Sequence, residues 1–272
     1  MAENPLFAPS DLPYQLPPFA AIGDEHYLPA FDKGMAEHLA EIDAIVADPD
    51  PPTFDNTIGA LERAGRLLDR ASTAFFTVAS SHSTDAVREI ETEISPRLSA
   101  HGDAIHMNRG LFDRIMQVEA DDTEEAWVLE RYRLDFTRAG AELVDADQER
   151  LRQLNQELTT LSTTFRQTLL DATTSEALVV DDPALLDGLD PERIEGLEED
   201  DGRYRLPLLN FTNQPALAQL TDRETRRRLY ELSIDRAEDN RAIAVRMAAL
   251  RAERAALLGY PTHAAYAVAD QT

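Results

Sequence analysis

The chain has 272 residues, 43% of them hydrophobic, which is enough for the apolar core of one large or two ordinary domains. Its 51 acidic and 26 basic side chains give a formal net charge of −25, so nucleic-acid phosphates and anionic membrane surfaces would be repelled. The absence of cysteine excludes disulfides, thiolate nucleophiles and metal sites built on cysteine.

The N-terminal segment of about twenty residues is rich in proline and cannot run as a helix. We expect it to lie extended against the body of the protein, anchored by Phe7, Tyr14 and Phe19. Helical periodicity then begins, with a first helix predicted from Tyr27 to Val46 and Asp24 placed to cap its start.

Apolar residues at three- and four-residue steps predict further helices along the next hundred residues. They are expected over 54–75, 85–105, 111–115 and 123–136. The clearest periodicity comes next and predicts one long helix that packs antiparallel to its neighbours. Its apolar positions are Leu151, Leu154, Leu158, Leu161, Phe165 and Leu169.

The pattern changes near residue 175. Short β-prone runs at 178–180 and 203–209 predict two strands, with two short helical pieces between them and Pro207 at an edge position. Helices resume at Thr221, where Thr221-x-x-Glu224 fits a capping box, and one of them stops at Gly259. A last helix of about two turns is predicted after Pro261.

Together these segments predict a mainly α fold, a multi-helix antiparallel bundle with a small β-ribbon insertion around 177–209. Within a helical domain covering 1–272, we expect a helical bundle over 1–174, a β-containing insertion over 175–220 and helices over 221–272 that end abruptly.

Motifs that carry catalysis are missing from the sequence. It contains no H-E-x-x-H, G-x-S-x-G, phosphate-binding loop or G-x-G-x-x-G pattern. The six histidines are His26, His38, His82, His101, His106 and His263. His101 and His106 are five residues apart, so they point in different directions on a helix, and Asp103-x-x-His106 is a lone carboxylate–histidine motif. We therefore assign no catalytic residue and no metal ligand, and leave substrate-binding residues unassigned.

Other conspicuous residues have ordinary structural interpretations. Glu89 and Glu93 are interpreted as a solvated pair, although such a pair could serve acid–base chemistry if it were buried. Phe75-Phe76 and Trp127 fall within apolar helical patterns and are expected in the core. An arginine cluster could bind a substrate carboxylate, but salt bridging on an acidic surface is the expected role. Its members are Arg223, Arg226, Arg227 and Arg228.

Several stretches, in order along the chain, resemble the peptidyl-dipeptidase family of zinc oligopeptidases, the group that includes oligopeptidase A and thimet oligopeptidase. They are Pro29-Ala-Phe-Asp-Lys-Gly-Met35, Phe54-Asp-Asn-Thr-Ile58 with Ala60-Leu-Glu62, Leu178-Val-Val180, Pro207-Leu-Leu-Asn210, Gln214-Pro-Ala-Leu217, Leu257-Leu-Gly-Tyr260 and Ala269-Asp-Gln271. Each stretch alone is weakly specific, whereas the ordered set is much more so.

The resemblance implies a helical, non-catalytic N-terminal lobe that walls a deep cleft and restricts access to short peptides. In the family, zinc is held by H-E-x-x-H and a downstream glutamate, whose counterparts this sequence lacks. The chain alone is therefore expected to hold no zinc and to be inactive, whereas the longer parent enzyme would use zinc to remove C-terminal dipeptides.

Two other functions stay open. The chain could be a stand-alone acidic helical module that binds peptides or regulates an enzyme, or one part of a split enzyme whose partner supplies the metal site. The sequence has neither a signal-peptide pattern nor an apolar run of about 20 residues, so a cytoplasmic protein without membrane or nucleic-acid partners is expected. A face that would meet a catalytic half could also cause self-association.

Overall fold

The computed structural model describes residues 4–120 and 122–271. The fold is mainly α with a single two-stranded ribbon among these residues, which confirms the predicted fold class. The α-helices are α1 (Tyr27–Ala47), α2 (Ala60–Arg63), α3 (Arg66–Ser81), α4 (Asp85–His106), α5 (Arg109–Gln117), α6 (Thr123–Arg138), α7 (Asp145–Ser175), α8 (Pro191–Glu195), α9 (Asn210–Gln219), α10 (Arg223–Asp235), α11 (Asn240–Leu257) and α12 (His263–Val268). The strands are β1 (Ala177–Val180) and β2 (Tyr204–Pro207). None of the described helices combines the length and apolar character needed to cross a lipid bilayer.

The chain forms two compact units, the first made of Met1–Thr163 and Ala249–Thr272 and the second of Thr164–Ala248. The boundaries between these units fall inside α7 and α11. The predicted subdivision at residues 174 and 220 marks changes of sequence pattern and stays a prediction.

The first core of unit 1 lies between the N-terminal half of α1, α3 and the N-terminal half of α4. Phe75 is completely buried at its centre, with ring centroids 5.0 Å from Tyr27 and 5.5 Å from Phe31 in edge-to-face arrangements. Gly34 lets α1 and α3 approach closely, because a Cβ at this position would lie 2.8 Å from the Cα of Leu68. This close crossing fixes the two helices against each other.

The second core of unit 1 lies between the C-terminal half of α1, α4, α5 and α6. Ile42 and Ile45 of α1 meet Ile105 of α4 and Phe112 of α5 here. Both α1 and α4 therefore run from the first core into the second.

Two helix starts differ from the prediction. Asp24 belongs to a short 3-10 turn, Asp24–His26, and α1 follows it without a side-chain cap. Gly65 breaks the helix predicted over 54–75, since its φ of +72° is left-handed. The backbone instead forms a π-helical segment Phe54–Gly59, then α2, and restarts as α3.

The N-terminal anchors are also only partly as predicted. Phe7 packs against the first core beneath the ammonium group of Lys33, which lies 4.3 Å from its ring centroid. Tyr14 is 97% exposed and Phe19 is exposed too, so their predicted anchoring role is wrong. Leu6, which is fully buried, is the principal anchor instead.

The long helix α7 buries only part of its predicted apolar stripe. Leu151, Leu154 and Leu158 are buried, whereas the three positions that follow, Leu161, Phe165 and Leu169, are only partly covered. The stripe therefore packs most completely along its N-terminal half.

Unit 2 is built around the antiparallel ribbon, in which Leu178 pairs with Leu206 and both side chains are completely buried. Pro207 pairs with Ala177 at the end of β2, where its missing N–H costs no interior ladder bond. The ribbon packs with α9 and α10 in the third core, the apolar cluster that includes Ala216 and Leu229.

The capping box predicted at Thr221 is wrong. Asp222 is the N-cap of α10, and its carboxylate accepts a hydrogen bond from the Thr225 N–H at 2.6 Å. Thr221 instead donates its backbone N–H to the Asp187 carbonyl at 2.8 Å. The chain therefore enters the helix one residue later than the sequence pattern indicates.

Candidate functional site

The most chemically distinctive part of unit 1 is a polar layer between the first and second cores. We use this name for His38 and Glu41 of α1, His101 of α4 and the backbone N–H of Gly65. On α1 it follows Phe31 of the first core and precedes Ile42 of the second; on α4 it lies between Ile94 and Ile105. Polar groups therefore interrupt the apolar packing of both helices at the same level, although the helices themselves are continuous.

The centre of this layer is a pair of imidazoles. His38 Nδ1 lies 3.1 Å from His101 Nε2, a hydrogen-bond distance, so that one nitrogen donates and the other accepts. His101 is only 8% exposed, and its Nδ1 has no hydrogen-bond partner among the described residues. Burial lowers the pKa of both histidines, and the charge of His38 lowers that of His101 further.

Backbone geometry at Gly65 makes room for the pair. A Cβ on Gly65 would lie 2.9 Å from both Nδ1 and Cε1 of His38, and the positive φ at this position also favours glycine. The Gly65 N–H donates to the Glu41 carboxylate at 2.7 Å. His38 and Glu41, one turn apart on α1, therefore both engage the turn that starts α3.

Asp103 and His106 lie farther along α4 and do not form a metal centre with the pair. His106 Nδ1 contacts the Gly102 carbonyl at 2.9 Å, and its ring lies against Phe136. Asp103 accepts a hydrogen bond from the Asn155 side chain at 2.9 Å, and burial raises its pKa. Throughout residues 4–120 and 122–271, no three side chains of the His, Cys, Asp or Glu type are arranged to hold a metal ion.

A second polar cluster holds α12 in unit 1. Tyr266 lies between two guanidinium groups, with its ring centroid 4.8 Å from Cζ of Arg138 and 5.1 Å from Cζ of Arg254. Arg138 also donates to the Tyr266 carbonyl at 2.8 Å and forms an ion pair with Asp270. His263 stacks on the same ring, and burial lowers its pKa. These contacts fix the short helix against α6 and α11.

The other residues of interest serve local structure. Glu89 and Glu93 are both exposed, and Glu93 accepts from Arg97 at 3.0 Å. Phe75 is in the first core as predicted, and Phe76 packs partly buried against it. Trp127 is 64% exposed on α6, so its predicted place in the core is wrong.

The arginine cluster of α10 forms structural contacts, only some of them ionic. Arg227 pairs with Glu224 and Glu231, as salt bridging on an acidic surface predicts. Arg226 donates to the Thr221 carbonyl at 2.9 Å and Arg228 to the Val179 carbonyl at 3.1 Å. These two arginines therefore support the backbone of unit 2.

A shallow groove runs between the end of α5 and α6, lined in part by Met116, Val118 and Leu129. The single guanidinium in its lining, that of Arg133, donates to the Met116 and Val118 carbonyls at 3.2 and 2.7 Å. This cation is thus committed to holding the loop that follows α5.

The chain is similar over its whole length to the dipeptidyl carboxypeptidase of Salmonella typhimurium (strain LT2), with 42% identity over 291 residues. It is 40% identical to the dipeptidyl carboxypeptidase of Escherichia coli (strain K12) over 285 residues, or 98% of the chain. Oligopeptidase A of S. typhimurium is 25% identical over 272 residues, or 92% of the chain. The chain spans 42% of the length of the two carboxypeptidases and 40% of that of the oligopeptidase. No family model matches it.

Proposed function

We propose that this chain, which belongs to the family of dipeptidyl carboxypeptidase and oligopeptidase A, is the N-terminal, non-catalytic lobe of a zinc peptidase. The longer enzyme would release dipeptides from the C-termini of short peptides, and the lobe would wall one side of its cleft. The observation that supports this proposal most strongly is the 42% identity that extends along the whole chain.

Packing in unit 1 suits the role of a wall. Two apolar cores share the helices α1 and α4, and the edge-to-face contacts of Phe75 fix the first of them. A surface supported in this way keeps its shape when a ligand passes, and a rigid wall can exclude folded proteins while short extended peptides enter.

Zinc belongs to the longer enzyme in this proposal. The described residues do not fit a zinc site, since no group of three potential ligands is arranged around a common point. The sequence also has no H-E-x-x-H that could supply two imidazoles and a general base. Within the peptidase, the chain would contribute shape and access while other residues perform the chemistry.

The direct test is to incubate the purified chain with zinc and an N-blocked tripeptide, with the S. typhimurium dipeptidyl carboxypeptidase as the positive control. We expect no dipeptide release by the chain. Robust release that a chelator abolishes would overturn the proposed non-catalytic role.

Binding measurements separate the lobe from the other two functions. Saturable binding of the same tripeptide to the chain by calorimetry, with no hydrolysis, would favour a stand-alone peptide-binding module. Co-purification with a second polypeptide that restores hydrolysis would favour a split enzyme.

The proposal also includes a cytoplasmic location, which cell fractionation checks, and self-association through an exposed face, which sedimentation measures.

A further inference from the structure

The imidazole pair of the polar layer has a property that the proposed function does not use. His38 and His101 come from two helices that each run through both cores of unit 1. They meet through ring nitrogens 3.1 Å apart, and His101 is buried on the α4 side. Their contact therefore joins α1 to α4 at the level where apolar packing is interrupted.

We propose that this pair makes the junction between the first and second cores sensitive to acid, holding α1 against α4 when at least one imidazole is neutral and loosening it when both are charged. With neutral rings, one N–H donates to the lone pair of the other ring. A single added proton preserves that bond, because an imidazolium still donates to a neutral imidazole. A second proton leaves two donors and two positive charges face to face.

The surroundings determine which ring is charged first. His38 is half-buried and lies near the Glu41 carboxylate, which favours its charged form, while His106 opposes it. For His101, burial and the neighbouring charge of His38 both disfavour the proton. Farther along α4, Asp103 faces His106, Arg152 and Arg254. We therefore expect His38 to take the first proton and His101 to resist the second.

The two imidazole rings have little room to move apart and so reduce their mutual repulsion when both are charged. The close fit of His38 against Gly65 restricts its ring on one side, and the buried position of His101 restricts the other. Separating two charged rings therefore requires α1 and α4 to shift. The first consequence of acidification should be local opening between the two cores.

The sign of the pH dependence follows from the lowered pKa of both histidines. In the unfolded chain each titrates near 6.5, so below this pH the unfolded chain binds more protons than the folded one. The stability contributed by the neutral pair is complete above about pH 6.5 and is lost as the pH falls below it. Asp103 has the opposite sign, because its raised pKa makes the folded chain hold its proton more strongly.

The central experiment compares the wild type with His101→Gln, which removes one titrating ring but keeps a polar side chain, and with His82→Gln as the matched control. His82 is exposed at the end of α3 and lies outside both cores. The unfolding equilibrium constant is measured in urea at pH 7.5 and 5.5. If a histidine stays neutral in the folded chain and has a pKa of 6.5 in the unfolded chain, lowering the pH from 7.5 to 5.5 raises the unfolding equilibrium constant by roughly tenfold.

We expect the wild type and His82→Gln to show the same rise, and His101→Gln to show a rise smaller by up to roughly tenfold. The contribution from Asp103 is common to all three proteins and cancels in the comparison. The same pH dependence in His101→Gln as in the wild type would overturn the proposal, as would an equal reduction in His82→Gln.

A titration of the wild type alone keeps the test decisive if the variant does not fold. Imidazole nitrogen resonances followed by NMR from pH 8 downward should show His38 and His101 titrating below the ordinary imidazole midpoint near 6.5, each curve shifting when the other ring is charged. Hydrogen exchange, corrected for intrinsic rates, should open first at the middle of α1 and α4. Independent titration of the two rings at ordinary midpoints, with unchanged protection of these helices, would refute the acid-sensitive junction.

Discussion

Truncation of Phe75 to alanine tests the packing of the first core most directly. Its side chain is completely buried and surrounded by the rings of Tyr27, Phe31 and Phe76. Removal of a buried phenylalanine ring costs about 3–5 kcal/mol, and each lost edge-to-face contact accounts for about 0.5–1.5 kcal/mol beyond area burial. We expect Phe75→Ala to lower the free energy of unfolding by about 4 kcal/mol, a large share of the roughly 5–15 kcal/mol typical of a domain.

Urea unfolding followed by circular dichroism at 222 nm measures this change. Phe76→Ala is the matched control, because the neighbouring ring is of the same type but only partly buried. Its cost should be at most about half as large, in line with the smaller loss of buried area. A cost below about 1 kcal/mol for Phe75→Ala, or equal costs for the two variants, would refute the assignment of Phe75 to the centre of the core.

Trp127 is the single tryptophan and is largely exposed, so its fluorescence maximum should shift little on unfolding and acrylamide should quench it efficiently in the folded chain; a strongly blue-shifted, protected emission would contradict this. In unit 2, Leu206→Ala should cost about 2–5 kcal/mol, whereas Leu209→Ala, at an exposed position, should cost under about 0.5 kcal/mol in the same urea assay, and similar costs would contradict the third core. Asp103→Asn keeps an oxygen that can accept from Asn155 but removes a carboxylate whose burial raises its pKa. The variant should therefore be at least as stable as the wild type at pH 7, and its stability should increase less on acidification. A large loss of stability at pH 7 would show that the charge of Asp103 is needed.

Helical periodicity predicted most helices, because apolar spacing reports directly on a buried face. It failed at Gly65, where the spacing of Ile58, Leu68 and Phe75 continues across a left-handed residue. The reason for the break is not local. The Glu41 carboxylate, 24 residues earlier, accepts a hydrogen bond from the Gly65 N–H. The only sign of the break in the sequence is the glycine itself within an apolar repeat.

Periodicity also misplaced Trp127, because it identifies residues that share a face without showing which face is covered. One turn farther on, Arg131 donates to the Asp270 carbonyl at 3.3 Å, and Arg138 lies on the same side of α6. Charged residues at these spacings were the available sign that this side is polar.

The candidate site could not be predicted from spacing within one helix. His38 and His101 are 63 residues apart and meet only through the packing of α1 against α4. The short α12 presents the same difficulty, since about 12–15 residues are usually needed for a stable isolated helix. Contacts of Tyr266 with Arg138 and Arg254 provide the stabilisation that so short a helix lacks by itself.

Because α1 and α4 serve both cores of unit 1, neither core can dissolve while the other keeps its full set of partners. Destabilisation of one core should therefore be transmitted to the other through these two helices. The loss of the Phe75 ring should reduce amide protection around Ile115 as well as around Ile94. Unit 1 should therefore unfold as one cooperative body, which is the rigidity that its proposed role as a cleft wall would require.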